Sequence, residues 1–157
     1  MQHRTTIHHG ICFTCEELYV CQINEKNEEK KQEITGGRES VYEKARAIES
    51  YFRRNGFRYE TKDVAVPSEK QDYVDQFLFE TKIGYCDNFS TSMVVMLRSV
   101  GISARWVKGF ASGTEIERTD DGMRTYEITN NDAHSWVEAY INGIGWANYR
   151  TKHIYES

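Results

Sequence analysis

Between Gly84 and Gly101 the sequence sets Phe89, Met93, Met96, Leu97 and Val100 at helical spacing, so one stripe of this helix must be buried. Gly84 breaks the pattern upstream, and Gly101 stops it downstream, where a helix end tolerates glycine. Cys86 therefore falls in the first turn, where backbone N–H groups point outward without helical partners. Those groups and the helix dipole favour a thiolate over a thiol, and the thiolate is the nucleophile. A second block, Asp132-Ala133-His134-Ser135-Trp136-Val137-Glu138-Ala139-Tyr140, reads as a strand that brings His134 alongside. A cysteine opening a helix and a histidine on a strand form a nucleophile-and-base arrangement.

The rest of the chain supplies what this helix needs in order to be covered. Ser40 is an N-cap candidate with Glu43 in the capping-box position, and Val41, Ala45, Ile48, Tyr51 and Phe52 form an apolar face. Asn55-Gly56 ends that helix, Phe57-Arg58-Tyr59-Glu60 reads as a short extended piece, and residues 63–70 with Pro67 read as a loop. A shorter helix is expected over Asp72–Glu80, with Val74, Phe77 and Leu78 pointing one way and Tyr73 and Asp75 toward solvent. After Gly101 the texture turns to β: residues 102–111 alternate, 114–124 are acidic and glycine-punctuated, and Tyr126 and Ile128 begin another strand. In the clearest strand, Ala133, Ser135, Val137, Ala139 and Ile141 share one face, and His134, Trp136, Glu138 and Tyr140 the other. Asn142-Gly143 is a hairpin signal, and residues 144–149 return as the partner strand. Helices followed by an antiparallel sheet make an α+β domain.

Composition narrows the function classes. The 157 residues, 39% of them apolar, suit one core-forming domain. A net charge of −4 with acids and bases well mixed leaves no electrostatic footprint for nucleic acid. No apolar run is long enough to cross a bilayer, and residues 1–10 lack the apolar middle of an export signal, so a soluble chain is expected. The four cysteines, Cys12, Cys15, Cys21 and Cys86, are too few and too uneven for a disulfide scaffold. A reducing compartment, or a domain excised from a larger membrane-associated protein, fits them.

Residues 1–38 read as a separate, charged extension. Cys12-x-x-Cys15 with Cys21 and nearby histidines has the composition of a zinc site, but without a second spaced pair it reads more plainly as chance or as a leader. The charge run from Asn24 to Lys31 reads as a solvated helix or linker.

Gly84-Tyr85-Cys86-x-x-Phe89, then Met96-Leu97-Arg98-x-x-Gly101-Ile102-x-Ala104-Arg105-x-Val107-x-Gly109-Phe110, resembles the transglutaminase-like superfamily. The block Asp132–Tyr140 followed by Gly143-x-Gly145-Trp146 is similar to that family's histidine block. The resemblance covers about residues 40–149 and is strongest to bacterial domains found beside transmembrane segments in larger proteins. It implies a papain-like α+β fold, with the nucleophile at a helix start and acyl transfer or amide hydrolysis on a protein or peptide. Cys86 would be the nucleophile, His134 the base and Tyr85 a substrate contact, with no metal or organic cofactor.

Two positions depart from the family's pattern. Ser103 stands where the family has proline, and Arg150 stands where it has the acid that orients the histidine. Asn148, on the same strand face two residues earlier, is a substitute, since an asparagine is the third member in papain-like proteases. Asp132 and Glu138 flank His134 but point parallel to it rather than at it. Arg150 and the early end of the resemblance, which suggests a truncated domain over residues 39–157, leave an alternative open. In it the domain is catalytically inactive and binds peptides in the same groove.

Overall fold

The computed structural model describes residues 25–149. Helix α1 covers Glu25–Thr35. Its exposed middle carries the Lys30–Glu33 pair at 2.8 Å, while Ile34 is only 8% exposed and joins the core. The helix thus continues past the run expected to be solvated, and its last turn packs against the domain. The candidate zinc ligands Cys12, Cys15 and Cys21 lie outside the described residues.

Helix α2, Val41–Arg54, starts where the capping signal places it. Glu43 N–H donates to Ser40 Oγ at 3.1 Å, and the Glu43 carboxylate returns to the Ser40 N–H. Ala45, Ile48, Tyr51 and Phe52 are buried as the spacing predicts. Glu49 is buried too, held in an ion pair with Arg46. A two-residue strand follows, β1, Arg58–Tyr59.

The short helix differs from expectation. It begins at the Asp72 cap as α3, Tyr73–Asp75, then widens into a π-helical turn over Gln76–Thr81. Lys82 explains the widening: its backbone is left-handed (φ 52°), and its N–H reaches back to the Phe77 carbonyl at 3.0 Å. The wider turn still buries Val74, Phe77 and Leu78. Tyr73, expected in solvent, is half-buried against the core. The turn delivers the chain into β2, Ile83–Gly84, which pairs in parallel with β1 through Arg58↔Ile83 and Tyr59↔Gly84.

Helix α4, Cys86–Ser99, is the element around which the others pack. Phe89, Met93 and Leu97 are wholly buried, and Phe52, Phe57, Phe77 and Phe89 form a ring cluster with centroids 4.9–6.4 Å apart. Edge-to-face contacts of this kind add to plain area burial.

The other layer is an antiparallel sheet of β3 (Ala104–Phe110), β6 (Ala133–Ile141) and β7 (Gly145–Tyr149), in the order β3-β6-β7. Ser135, Val137 and Ala139 face α4 and are fully buried, while His134, Trp136, Glu138 and Tyr140 lie on the other face. The glycine-punctuated stretch forms a ribbon, β4 (Thr114–Arg118) with β5 (Arg124–Glu127), all of whose residues are exposed. The architecture is α+β, helices on one face of an antiparallel sheet.

Candidate active site

Cys86 is the first residue of α4 and 7% exposed. The turn is held from behind by Asn88, whose Oδ1 accepts the Tyr85 N–H at 3.0 Å. That amide folds so close to Gly84 that a Cβ there would lie 2.5 Å from it, which is why a glycine precedes this helix. Tyr85, the expected substrate contact, is half-buried at the N-cap.

Three phenols and one carboxylate surround the sulfur. The Cys86 thiol lies 3.8 Å from Asp87 Oδ1, and Lys108 Nζ stands 3.7 Å from the other carboxylate oxygen. Tyr59 reaches in from β1, and its phenol lies close enough to Cys86 to feel both the thiol and the backbone N–H. Burial, and then the nearby cysteine, push the Tyr59 phenol up from its ordinary value. Tyr73 and Tyr85 are raised chiefly by burial as well, with Asp87 and Cys86 adding to it. Sequence reasoning missed Tyr59. Its only local signal is an aromatic in a short extended piece, and its contact with Cys86 depends on the parallel pairing with β2.

His134 occupies the outer sheet face opposite Gly109, at the start of β6 and half-buried, with Nε2 withdrawn from solvent. It lines an open cleft of about 350 Å³ with Phe110, Asp132, Trp136 and Asn148. Gly109 is small because the Trp136 ring lies over it, where a Cβ would come within 2.8 Å. Asn148, the expected third member, shares this cleft and sits opposite Glu138 in the register. Arg150 lies outside the described residues. Asp132 is spent on capping, accepting from the Thr129 N–H at 2.8 Å and the Thr129 hydroxyl at 3.0 Å. Glu138 takes the Arg105 guanidinium at 2.6 Å. Neither acid is directed at the imidazole.

The two blocks are joined through the neighbours of Cys86 and His134. Ser135 Oγ donates to Asp87 Oδ1 at 2.7 Å and lies 2.9 Å from Ser90 Oγ, which receives the Trp106 Nε1–H at 2.9 Å. Among the described residues no cluster of His, Cys, Asp and Glu could hold a metal ion. No described helix is long and apolar enough to cross a membrane.

A thiol at a helix start beside a phenol and the N–H of its own turn, tied to a strand bearing an imidazole, has the kinds of group that acyl chemistry uses. Comparison with known proteins points the same way. YebA of Bacillus subtilis (strain 168) is 53% identical over 116 residues, 74% of this chain and 16% of that protein. A protein-glutamine gamma-glutamyltransferase of Pseudomonas aeruginosa is 34% identical over 100 residues, 64% of this chain and 14% of that protein. The chain therefore spans about one sixth of the length of these relatives. The crystal structure of the periplasmic domain of TgpA from Pseudomonas aeruginosa superposes with a TM-score of 0.69 at 27% identity, covering 83% of this chain and 43% of that one. The family model of the transglutaminase-like superfamily matches residues 28–151, and the chain belongs to that superfamily.

Proposed function

We propose that the domain is a thiol acyltransferase acting on the side-chain amide of protein-bound glutamine. Cys86 is the nucleophile, His134 the proton carrier, and Tyr59 with the Cys86 N–H the donors to the oxyanion. The thiolate attacks the amide carbon and the carbonyl oxygen takes the negative charge. His134 then protonates the departing nitrogen, ammonia leaves, and a thioester remains. A primary amine completes transamidation, or water completes hydrolysis, and either step returns the thiol. Asn148 lines the cleft with His134 but stands opposite Glu138, four residues along β6, so it contacts substrate there rather than orienting the imidazole.

The observation that carries this reading is that the thiol opens α4 with the Tyr59 phenol close beside it. An oxyanion needs donors within hydrogen-bond reach of its oxygen, and the phenol and the Cys86 N–H both stand near the attacking sulfur. The glutamyltransferase name of the Pseudomonas relative supports glutamine as the acyl donor.

The test is ammonia release and incorporation of a labelled primary amine into a glutamine-containing peptide. Wild type is expected to do both, and Cys86→Ser neither. Peptide binding without turnover in the wild type would overturn the enzyme reading in favour of a binding module.

A further inference from the structure

We propose that Asp87 and Ser135 are positioning residues. Their hydrogen bond sets the strand bearing His134 against the turn bearing Cys86, so that thiol and imidazole are held at one height. The inference rests on the Cys86–His134 reading and adds the device that holds the pair.

Ser135 sits in the layer of β6 that faces α4, in line with Val137 and Ala139, and all three are fully buried. A hydroxyl in such a layer is costly unless bonded, and an alanine would fill the same place, as Ala139 does. Its partner explains it. An ionised carboxylate only accepts, so the Ser135 proton must point at Asp87 Oδ1, 2.7 Å away. The Ser90 hydroxyl points its one proton at the Cys86 carbonyl, 2.6 Å away, and its oxygen takes the Trp106 N–H at 2.9 Å. Ser135 Oγ lies 2.9 Å from the Ser90 oxygen. The two hydroxyls thus bring β3, β6 and the first turn of α4 to one buried point, with the Ser135 bond ending on the residue after Cys86.

The alternation of the strand makes the arrangement useful. Ser135 is anchored toward the helix, and His134, the preceding residue, is left on the cleft side. The anchor fixes the height of the strand without occupying the imidazole. The charged and titratable groups around Asp87 and Cys86 are Lys108 of β3, Tyr59 of β1, Tyr73 of α3 and Tyr85 at the cap of α4. Lys108 stands on the other oxygen of Asp87 from Ser135. Positioning of reacting groups is sensitive, and a misplacement of about 1 Å can cost on the order of 100-fold in rate.

The experiment is a double-mutant cycle read by alkylation of Cys86 with iodoacetamide at neutral pH, quantified on the Cys86 peptide by mass spectrometry. It needs no substrate and is therefore independent of the glutamine assignment. His134→Ala is expected to slow alkylation about tenfold or more in the otherwise unchanged chain, but less than about threefold when Ser135→Ala is also present. Asp87→Ala should behave like Ser135→Ala. Asp87→Asn, which keeps an oxygen for Ser135, should restore the histidine effect to within about threefold of its original size. An equal effect of His134→Ala with and without Ser135→Ala overturns the positioning role. A silent His134→Ala in the unchanged chain overturns the thiol–imidazole pair, and the positioning role with it. Should Asp87→Ala fail to fold, Ser135→Ala decides alone, since it removes a single oxygen from the core.

Discussion

Tyr59 reaches toward Cys86 from a strand of two residues. In the proposed reaction its phenol donates to the carbonyl oxygen as charge develops there. Tyr59→Phe is therefore expected to lower turnover in the amine-incorporation assay by about 100-fold, leaving KM nearly unchanged, because the donor acts mainly on the developing charge. An equal rise in KM with unchanged turnover would show a ground-state contact instead. The places of Cys86 at a helix start and of His134 on an alternating strand were legible in the sequence because a local pattern sets each of them. Tyr59 was not, since nothing near it in the chain says that it ends beside Cys86. Asp87 and Ser135 escaped for a related reason: each is the neighbour of a residue that draws the attention.

At the level of elements, α2 followed its signals to the residue, because the capping box and the apolar stripe agree. The Asp72–Glu80 segment kept its buried residues but not its geometry. Its apolar spacing is equally served by a widened turn, and the left-handed Lys82 that produces the widening has no signature, unlike a glycine at such a place. The turn before Cys86 is constrained more tightly than the sequence alone suggests. A Cβ at Gly84 would press on the Asn88 amide, which is buried and holds the Tyr85 N–H. Gly84→Ala is expected to cost about 1–3 kcal/mol in urea unfolding by dislodging that cap. A loss below that range would mean the amide finds another place.

For the whole molecule, the sequence made the class of fold plain, helices before an antiparallel sheet, while the parallel pairing of β1 with β2 lay beyond it. That pairing joins segments far apart in the chain through two residues each, too short for periodicity to register. Its stability should carry a signature of the buried tyrosines. Burial raises the phenols of Tyr51, Tyr59, Tyr73 and Tyr149. The folded state therefore holds these protons more tightly than the unfolded chain does. Their contribution is complete below the ordinary phenol value of about 10 and is lost as pH rises through the higher folded values. The urea midpoint is expected to fall between about pH 9.5 and 11, within the window where unfolded phenols ionise. A midpoint constant across that window would contradict the burial of these hydroxyls.

The three tryptophans of the chain fall one to a strand in the sheet, Trp106 on β3, Trp136 on β6 and Trp146 on β7. Each indole meets different company: Trp106 hydrogen-bonds the Ser90 hydroxyl beneath the sheet, Trp136 lines the cleft, and Trp146 lies under the Arg105 guanidinium at 4.2 Å. Tryptophan emission of this protein, excited beyond the tyrosine band, is consequently an optical record of this sheet, with no indole on the helices to add to it. Single tryptophan-to-phenylalanine replacements divide that record into its inner layer, its cleft wall and its outer surface without any added dye.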